Sequence, residues 1–333
     1  MARLSKRLLL LIAVEEAELL TQSGDLIVSQ GDQHLYGPRY GFDELPVGTD
    51  AMLVNRFSIT PQKSNVVSRK LVRPYFGASW QFVTNTRVQC KFTVELAGSG
   101  TAGIAPQYGR ALRACGLRET VVANTSVTYA PVSEFFDSAT IYCNLDGVLH
   151  KMTGCRGTFT LNLSAGRVPT IEFTFTGIYN APEDSAFPAV NYSNQAKPLI
   201  ANSDNTDTFE FLSYSACLES VSMDLGNELL YRELVGCDNR VLITDRRATG
   251  TVVIDATRPD DKDYFSAVLE SSVLGNLTFR HGDTAGNIVS FASTGISAGA
   301  VSYSEQDGIV KLQVPYVATP STAGNDEFSL VYT

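Results

Sequence analysis

The sequence predicts a mainly β protein made of two tandem related β-sandwich or barrel units, each with a short flanking helix. Three observations predict this class. Apolar and polar residues alternate with period two in many segments, helical spacing is confined to two short segments, and the order of these patterns recurs in the second half of the chain. A chain of 333 residues with 44% hydrophobic residues is long enough to bury such a core.

The clearest pattern runs over residues 87–116 and predicts a strand, a glycine-rich loop and a short helix. Apolar residues occupy every second position from Val88 to Leu96, which indicates an antiparallel strand with one dry face. Pro106 can open the helix and Gly116 can end it. We therefore expect a helix that covers one face of a sheet.

The glycines of that loop, Gly98, Gly100 and Gly103, also match the G-x-G-x-x-G pattern of dinucleotide-binding proteins. That fold requires a buried parallel strand before the loop and an acidic residue at the end of a second strand, and the segment here offers neither. A P-loop would need a Lys-Ser or Lys-Thr pair after the glycines, which is also missing. We favour a plain structural loop over phosphate binding.

A long hairpin is predicted from GTFTLNL and PTIEFTFTG, joined by a turn at residues 164–166. Its apolar residues are expected to face the core: Phe159, Leu161, Leu163, Ile171, Phe173 and Phe175. Its polar residues alternate with them and form the opposite face: Thr158, Thr160, Asn162, Thr170, Glu172 and Thr174.

Five segments of the first half recur in the same order in the second half. FSIT before VVSRKLV recurs as VSMD before LLYRELV, and the strand ending in Ala97 recurs as GTVVIDA. The helix recurs as PDDKDYFSAVLES, ATIYCNLDGVLHKMTG as LTFRHGDTAGNIVSFA, and the hairpin as GAVSYSEQDGIVKLQVPYVA. We therefore predict a first domain at residues 1–179, a proline-rich linker at 180–208 and a second domain at 209–333.

Residues 21–50 are rich in Gly, Asp and Pro and predict an ordered loop or arm within the first domain. Its aromatic residues Tyr36, Tyr40 and Phe42 have no strand in which to pack. We expect the arm to contact a surface outside its own unit.

Charge divides the chain, because residues 1–180 carry 17 basic and 14 acidic residues whereas residues 181–333 carry 9 and 21. Halves of net charge +3 and −12 suggest surfaces that meet head to tail, or a surface kept away from a polyanion. Ordinary solvated acidity is the alternative. A pI of 4.9 argues against sequence-specific nucleic-acid binding.

The cysteines and the N-terminal residues indicate a soluble chain in a reducing compartment. Six cysteines without a C-x-x-C or zinc spacing predict buried free thiols in a reducing environment. The apolar run at residues 8–14 is too short to span a bilayer and is followed by glutamates, so we interpret it as a first strand of a soluble chain.

No catalytic, cofactor or metal site is predicted. The three histidines His34, His150 and His281 lack partners at catalytic or metal-ligand spacing, so we expect them on the surface. The acidic group Asp260, Asp261 and Asp263 follows Pro259, and we expect it to complement the first turn of a helix without a metal.

The chain resembles the tail tube proteins, or major tail proteins, of long-tailed bacteriophages. The resemblance covers nearly the whole sequence and is carried by KRLLLLIAVEEA, RKLVRPYFGAS, FTVELAGSGTAGIAPQYGRALRACG, VTYAPVS, DGVLHKMTGCRGTFTLNLSAGRVPTIEFTFTGIYNAP and SMDLGNELLYRELVG, continuing to VLITDRRATGTVVIDA. Residues 21–50 depart from the family, which has a shorter connection there.

The resemblance implies a structural virion protein that polymerises as stacked rings, with a channel through which double-stranded DNA passes without specific contacts. It implies other tail proteins as partners, namely the tape measure and terminator proteins, assembly in the host cytoplasm, and no membrane span. The polar face of the hairpin would line the channel and the arm would bridge subunits. Because family rings are generally six-fold and this chain carries the unit twice, we expect a trimeric ring.

Two other classes share some of these features. A β-sandwich that decorates the capsid or binds the host would have the same strand pattern without needing self-association. An enzyme would need a cleft in which titratable residues converge, and the sequence indicates none.

Overall fold

The computed structural model describes residues 8–15, 17–18, 39–40, 46–269 and 274–333. The chain is mainly β, with 53% strand and 5% helix, which confirms the predicted mainly β class, and the two tandem related units stay a prediction. The arm residues Tyr36 and Phe42 lie outside the described residues. At Tyr40 the structure describes the backbone, which pairs with Ala17.

The first part of the chain contains a 3₁₀ helix at Gly48–Asp50 and the helix α1 at Gly109–Ala114. Its strands are β1 (Leu8–Glu15), β2 (Ala17–Glu18), β3 (Arg39–Tyr40), β4 (Ala51–Met52), β5 (Asn55–Ser68), β6 (Gln81–Glu95), β7 (Leu117–Val122), β8 (Ser126–Pro131), β9 (Ser138–Leu145), β10 (Val148–Ser164), β11 (Thr170–Tyr179) and β12 (Glu183–Asp184).

The second part contains the helix α2 at Tyr264–Leu269. Its strands are β13 (Thr208–Phe211), β14 (Leu218–Asp224), β15 (Asn227–Arg232), β16 (Arg240–Arg246), β17 (Thr249–Asp255), β18 (Gly275–His281), β19 (Val289–Ala298), β20 (Ser302–Gln306), β21 (Ile309–Ala318) and β22 (Ser329–Tyr332).

One antiparallel sheet of eight strands runs through both parts of the chain, in the order β5-β6-β11-β10-β14-β17-β21-β20. We call it the large sheet. Its first four strands come from the first part and its last four from the second. The two sets join where Thr160 to Ser164 of β10 pair with Asp224 to Ser220 of β14. The backbone of the sheet is therefore continuous across the two halves.

Two further sets of strands pack over one face of the large sheet, whereas β15 and β16 form a separate two-stranded sheet. In the first part, β4, β1 and β9 continue from the N-terminal half of β10, whose pairing shifts register between Met152 and Cys155. In the second part, the order is β13-β18-β19-β22-β8-β7. Strand β22 thus lies between β19 and β8 and ties the end of the chain to the first part.

Strand β1 is buried on both faces. Leu10 and Ile12 join the main core, whereas Leu9 and Leu11 pack with Ala51 against side chains that include Phe187 and Tyr192. This burial explains why the strand is a continuous apolar run instead of an alternating one. The segment predicted as a linker, residues 180–208, contributes part of that cover.

The core is centred on aromatic residues of the predicted hairpin. Phe173 is fully buried, and its ring centroid lies 5.4 Å from that of Phe92 and 5.9 Å from those of Phe159 and Phe175. The six residues expected to face inward are all buried: Phe159, Leu161, Leu163, Ile171, Phe173 and Phe175. The period-two pattern therefore gave the correct face.

Helix α1 covers the core as predicted. Tyr108 precedes it, and its hydroxyl donates to the Ala97 carbonyl at 2.9 Å and lies 3.0 Å from the Tyr332 hydroxyl. Burial raises the pKa of Tyr108 far above its ordinary range. Gly116, with φ of +83°, follows the helix in the left-handed conformation that glycine favours.

Helix α2 begins later than its sequence pattern predicted, at Tyr264, because Asp263 caps it directly. One Asp263 carboxylate oxygen accepts from the backbone amides of Phe265 and Ser266, both at 3.0 Å. A hydrogen bond from the Ser266 hydroxyl, together with these backbone bonds, lowers the pKa of Asp263. Asp260 and Asp261 lie in the preceding turn, not in the helix as expected.

Two expectations about single side chains were wrong. His281 is buried, with 2% of its surface exposed, because it ends the dry face of β18; His150 is half-buried and His34 lies outside the described residues. Cys217 and Cys237 are exposed, whereas the remaining cysteines are buried free thiols: Cys90, Cys115, Cys143 and Cys155. Among the described residues, no helix has the length and apolar character needed to span a membrane.

Candidate functional site

The six polar hairpin residues predicted from the sequence form one patch on the large sheet. Thr158, Thr160 and Asn162 of β10 lie opposite Thr174, Glu172 and Thr170 of β11, respectively. All six are half-buried and alternate with the buried core residues, so they lie on the face turned away from the core. The alternation in the sequence correctly grouped them, and their role as a channel surface stays a prediction.

The patch continues into β14 and β17, which lie outside the predicted hairpin. Across the β10–β14 junction, Thr160 pairs with Asp224 and Asn162 pairs with Ser222. On the next strand, Thr249 and Thr251 pair with Asp224 and Ser222. The signal was available, because Ser-Val-Ser-Met-Asp at residues 220–224 has the same alternation as the hairpin. We call this surface the polar face.

The centre of the polar face carries no basic residue. Strands β11, β10, β14 and β17 present hydroxyl and amide groups there, and the charged side chains among them are Glu172 and Asp224. Lys91 of β6 lies at the margin and is held by Glu172 at 2.7 Å. A surface with hydroxyls, a weak negative charge and no free cation has little affinity for phosphates.

The two outer strands of the large sheet are free edges within the described part of the chain. Strand β5 pairs with β6 alone, and β20 pairs with β21 alone. Both strands are mostly exposed. A free edge presents unpaired backbone groups and is a template for pairing with a strand of another chain.

The glycine motif has a structural explanation. The Gly100 amide donates to the Gly286 carbonyl at 3.0 Å, and the Gly98 amide donates to the Asn287 side chain at 2.8 Å. A Cβ atom on Gly98 would lie 2.0 Å from the Gly286 oxygen, and one on Gly103 would lie 2.3 Å from the Asn124 amide nitrogen. Gly98 and Gly100 allow backbones of the two halves to meet, and Gly103 allows a close approach within the first half, which agrees with the plain-loop interpretation.

A buried ion pair also connects the two halves of the chain. The Arg246 guanidinium lies 2.7 Å from Glu327, donates to the Val132 carbonyl at 2.7 Å, and so links β16 to residues on both sides of the junction. Within the described residues, no group of three or more His, Cys, Asp or Glu side chains could hold a metal ion.

Comparison with protein families matches residues 10–318 to a family described as phage tail tube protein. The match covers more than nine-tenths of the sequence and includes both halves of the large sheet. Comparison with individual curated proteins gave no match.

Proposed function

This chain belongs to the phage tail tube protein family, and we propose that it builds the tube as stacked rings whose channel carries the genome into the host. As a family member it is a structural component of the virion tail, which self-assembles into a tube and contacts other tail proteins. The ring, its symmetry, the channel surface, and contacts with tape measure and terminator proteins are parts of the proposal.

The observation that carries the proposal is the polar face. It extends over both halves of the chain and lies on the side of the sheet away from the aromatic core. None of the residues that β11, β10, β14 and β17 contribute to it, from Thr158 to Asn162, Thr170 to Thr174, Ser222 to Asp224 and Thr249 to Thr251, is lysine or arginine. Basic side chains at such a surface would bind the DNA backbone by releasing counterions, and the duplex would be retained. A hydroxyl-rich face with Glu172 and Asp224 lets DNA pass.

We further propose that the two halves arose from one duplicated unit, divided at residues 180–208. The matched sequence segments occupy the same order in space, since β5-β6-β11-β10 in the first half correspond to β14-β17-β21-β20 in the second. In addition, β1 pairs with β9 as β13 pairs with β18. Each half also carries one short helix between corresponding strands.

Strand numbers favour a ring of three chains. Three chains of eight strands give twenty-four strands, and at ~4.8 Å per strand the wall has a circumference of ~115 Å and a diameter of ~37 Å for upright strands. Six chains would give ~230 Å and ~73 Å on the same spacing. Strand tilt widens both values by roughly a quarter or more. The smaller ring is matched to one duplex, and the larger is not.

The free edges give the three-chain ring its contact. Strand β5 of one subunit would pair with β20 of the next, which is a head-to-tail contact that closes after three copies. This contact alternates first halves with second halves around the ring. Segments of net charge +3 and −12 are then side by side.

Electron microscopy of the purified protein tests the proposal. We expect rings or tubes of constant bore, formed without any other tail protein. A protein that stays monomeric at all concentrations and salt conditions would contradict it. Along an edge strand, the backbone N–H groups point alternately toward the neighbouring strand and outward. Of the neighbouring substitutions Tyr303→Pro and Ser304→Pro on β20, one therefore removes an N–H that bonds to β21 and the other removes an outward N–H. The variant that loses only the outward N–H should fold and fail to close rings.

A further inference from the structure

The β5–β6 hairpin projects beyond the large sheet. Strand β11 accompanies β6 only as far as Arg87, which pairs with Ile178, whereas β6 and β5 remain paired out to Gln81 and Ser68. These six further residues extend the hairpin by ~20 Å, before the connecting residues 69–80. Tyr231 of β15 braces its base, because the tyrosine hydroxyl donates to the Thr86 carbonyl at 3.0 Å.

This projecting hairpin is basic and apolar. No acidic residue occurs between residues 55 and 94. Lys63 lies at the base of the projection, opposite Arg87, and the hairpin beyond the sheet carries Arg69, Lys70 and Arg73. Its large apolar side chains are exposed by about half or more: Val66, Val67, Leu71, Val72, Tyr75, Phe76, Trp80, Phe82 and Val83. We call residues 61–86 the basic hairpin. An apolar patch of this size marks an interaction surface.

The opposite end of the large sheet carries a matching surface on the second half. Strand register places Asp255 and the turn between β20 and β21 at that end. The exposed acidic residues there are Asp255, Asp260, Asp261, Glu305 and Asp307. They adjoin exposed apolar side chains of α2, β20 and β21, of which Phe265 and Tyr303 lie 5.6 Å apart: Phe265, Leu269, Tyr303, Ile309 and Val310. We call this surface the acidic rim.

The first half carries a different charge at that same end. Its β10–β11 turn and the start of β5 present Arg167 and Arg56. A basic hairpin would be repelled there and attracted to the acidic rim. The charge difference between the halves therefore selects one docking position of two.

The two surfaces cannot meet within one subunit. The paired part of β6 between Arg87 and Glu95 spans ~26 Å, and the hairpin projects a further ~20 Å in the other direction. A contact between the two surfaces therefore joins two copies of the chain.

We propose that the basic hairpin of each subunit docks on the acidic rim of a subunit in the adjacent ring. This inference rests on the proposed function and adds the register: first halves stack on second halves, so successive rings are offset by one unit. Apolar side chains provide the contact area, and the opposite charges fix the position.

Charge reversal tests this register in the full-length protein. Arg69→Glu with Lys70→Glu should raise the protein concentration needed for tube growth by about tenfold or more, while rings still form. Asp260→Lys with Asp261→Lys on the rim should have the same effect. Combining all four substitutions should restore growth, because the charges are exchanged and not lost.

A matched control uses two exposed acidic residues away from the rim, Asp184→Lys and Asp204→Lys. Combined with the reversed hairpin, they should give no rescue. A second measurement is tube length at different salt concentrations. Tube length should fall from low to high salt for the wild type and change little for the variant with the reversed hairpin.

Unimpaired tubes from the reversed hairpin, or equal rescue by the control pair, would overturn the inferred register. Such results would leave the proposed function intact, since the tubes still form. A wild-type chain that makes neither rings nor tubes would instead contradict the proposed function itself.

Discussion

If the polar face lines the channel as proposed, placing lysines on it should make the tube retain DNA. We choose Asn162→Lys on β10, Thr174→Lys on β11 and Thr251→Lys on β17, which are half-buried residues on three strands. No side-chain hydrogen bond of the described residues depends on them. Each substitution should change the free energy of unfolding by no more than about 0.5 kcal/mol, as is usual for surface positions.

The expected size of the effect follows from the proposed three-chain ring. Three lysines in each of three chains add nine positive charges around the channel at each level. A protein making roughly six to ten phosphate contacts loses about 10³- to 10⁵-fold in affinity between 50 and 200 mM salt. Retention of DNA by the lysine variant should have a salt dependence of that order, whereas the wild type should retain none at any salt concentration.

The assay combines genome delivery with DNA retention. Phage carrying the variant should assemble tails of normal length and show impaired infectivity, and purified tubes should retain double-stranded DNA at low salt. A control variant carries the same charge on the exposed residues Asn194, Ser203 and Thr322. Normal infectivity of the polar-face variant in normal tails would refute the reasoning, as would equal loss in the control.

Four further predictions concern stability and assembly. Phe173→Ala should lower the free energy of unfolding by about 3–5 kcal/mol in denaturant titrations, because the ring is fully buried among three phenylalanines; a loss under 1 kcal/mol would contradict this. Gly286→Ala should cost about 1–3 kcal/mol, since φ is +89° and the new Cβ would lie 2.4 Å from the Gly100 carbonyl carbon; Gly308→Ala, with positive φ and open space, separates strain from contact. Burial lowers the pKa of His281 below its ordinary 6.5, so the unfolded chain takes up the proton first and stability should fall as the pH drops below about 6.5; His281→Gln should flatten that slope in melts between pH 5 and 7, and an unchanged slope would show that other groups cause it. Deleting residues 21–45, which spares the Asp50 carboxylate bound by Arg110, should leave folded subunits that no longer polymerise, and full-length tubes from this variant would make the arm dispensable.

Period-two alternation predicted the parts of the fold in which each strand has one dry and one wet face. The hairpin of β10 and β11 and the strand leading to Glu95 have this form, so their core and polar residues could be read from the sequence. The pattern also grouped the six polar-face residues, because a side chain's face is set by its parity along the strand.

Other features depend on contacts between distant segments and left no local pattern. Glu15 reads as the polar end of a strand, yet its carboxylate is buried and accepts from the Ser138 hydroxyl at 2.5 Å, the Thr140 hydroxyl and the Gly154 amide at 3.1 Å. His281 is likewise a polar residue that was expected on the surface and is buried. Burial of a polar residue is decided by partners far away in the sequence.

The eight-stranded sheet could not be predicted from the sequence for a similar reason. The β10–β14 junction joins residues about sixty positions apart, and neither strand differs in pattern from one at a free edge. The basic residues of the basic hairpin can be read from the sequence, but its projection depends on where β11 stops pairing with β6.

The rotational symmetry of the tube tests the central claim most directly. Cryo-electron microscopy of assembled tubes should give three-fold symmetry, with two distinguishable halves per subunit, each supplying four strands to a wall of twenty-four strands. True six-fold symmetry, with the second half of each chain on the outside of the tube, would contradict the account.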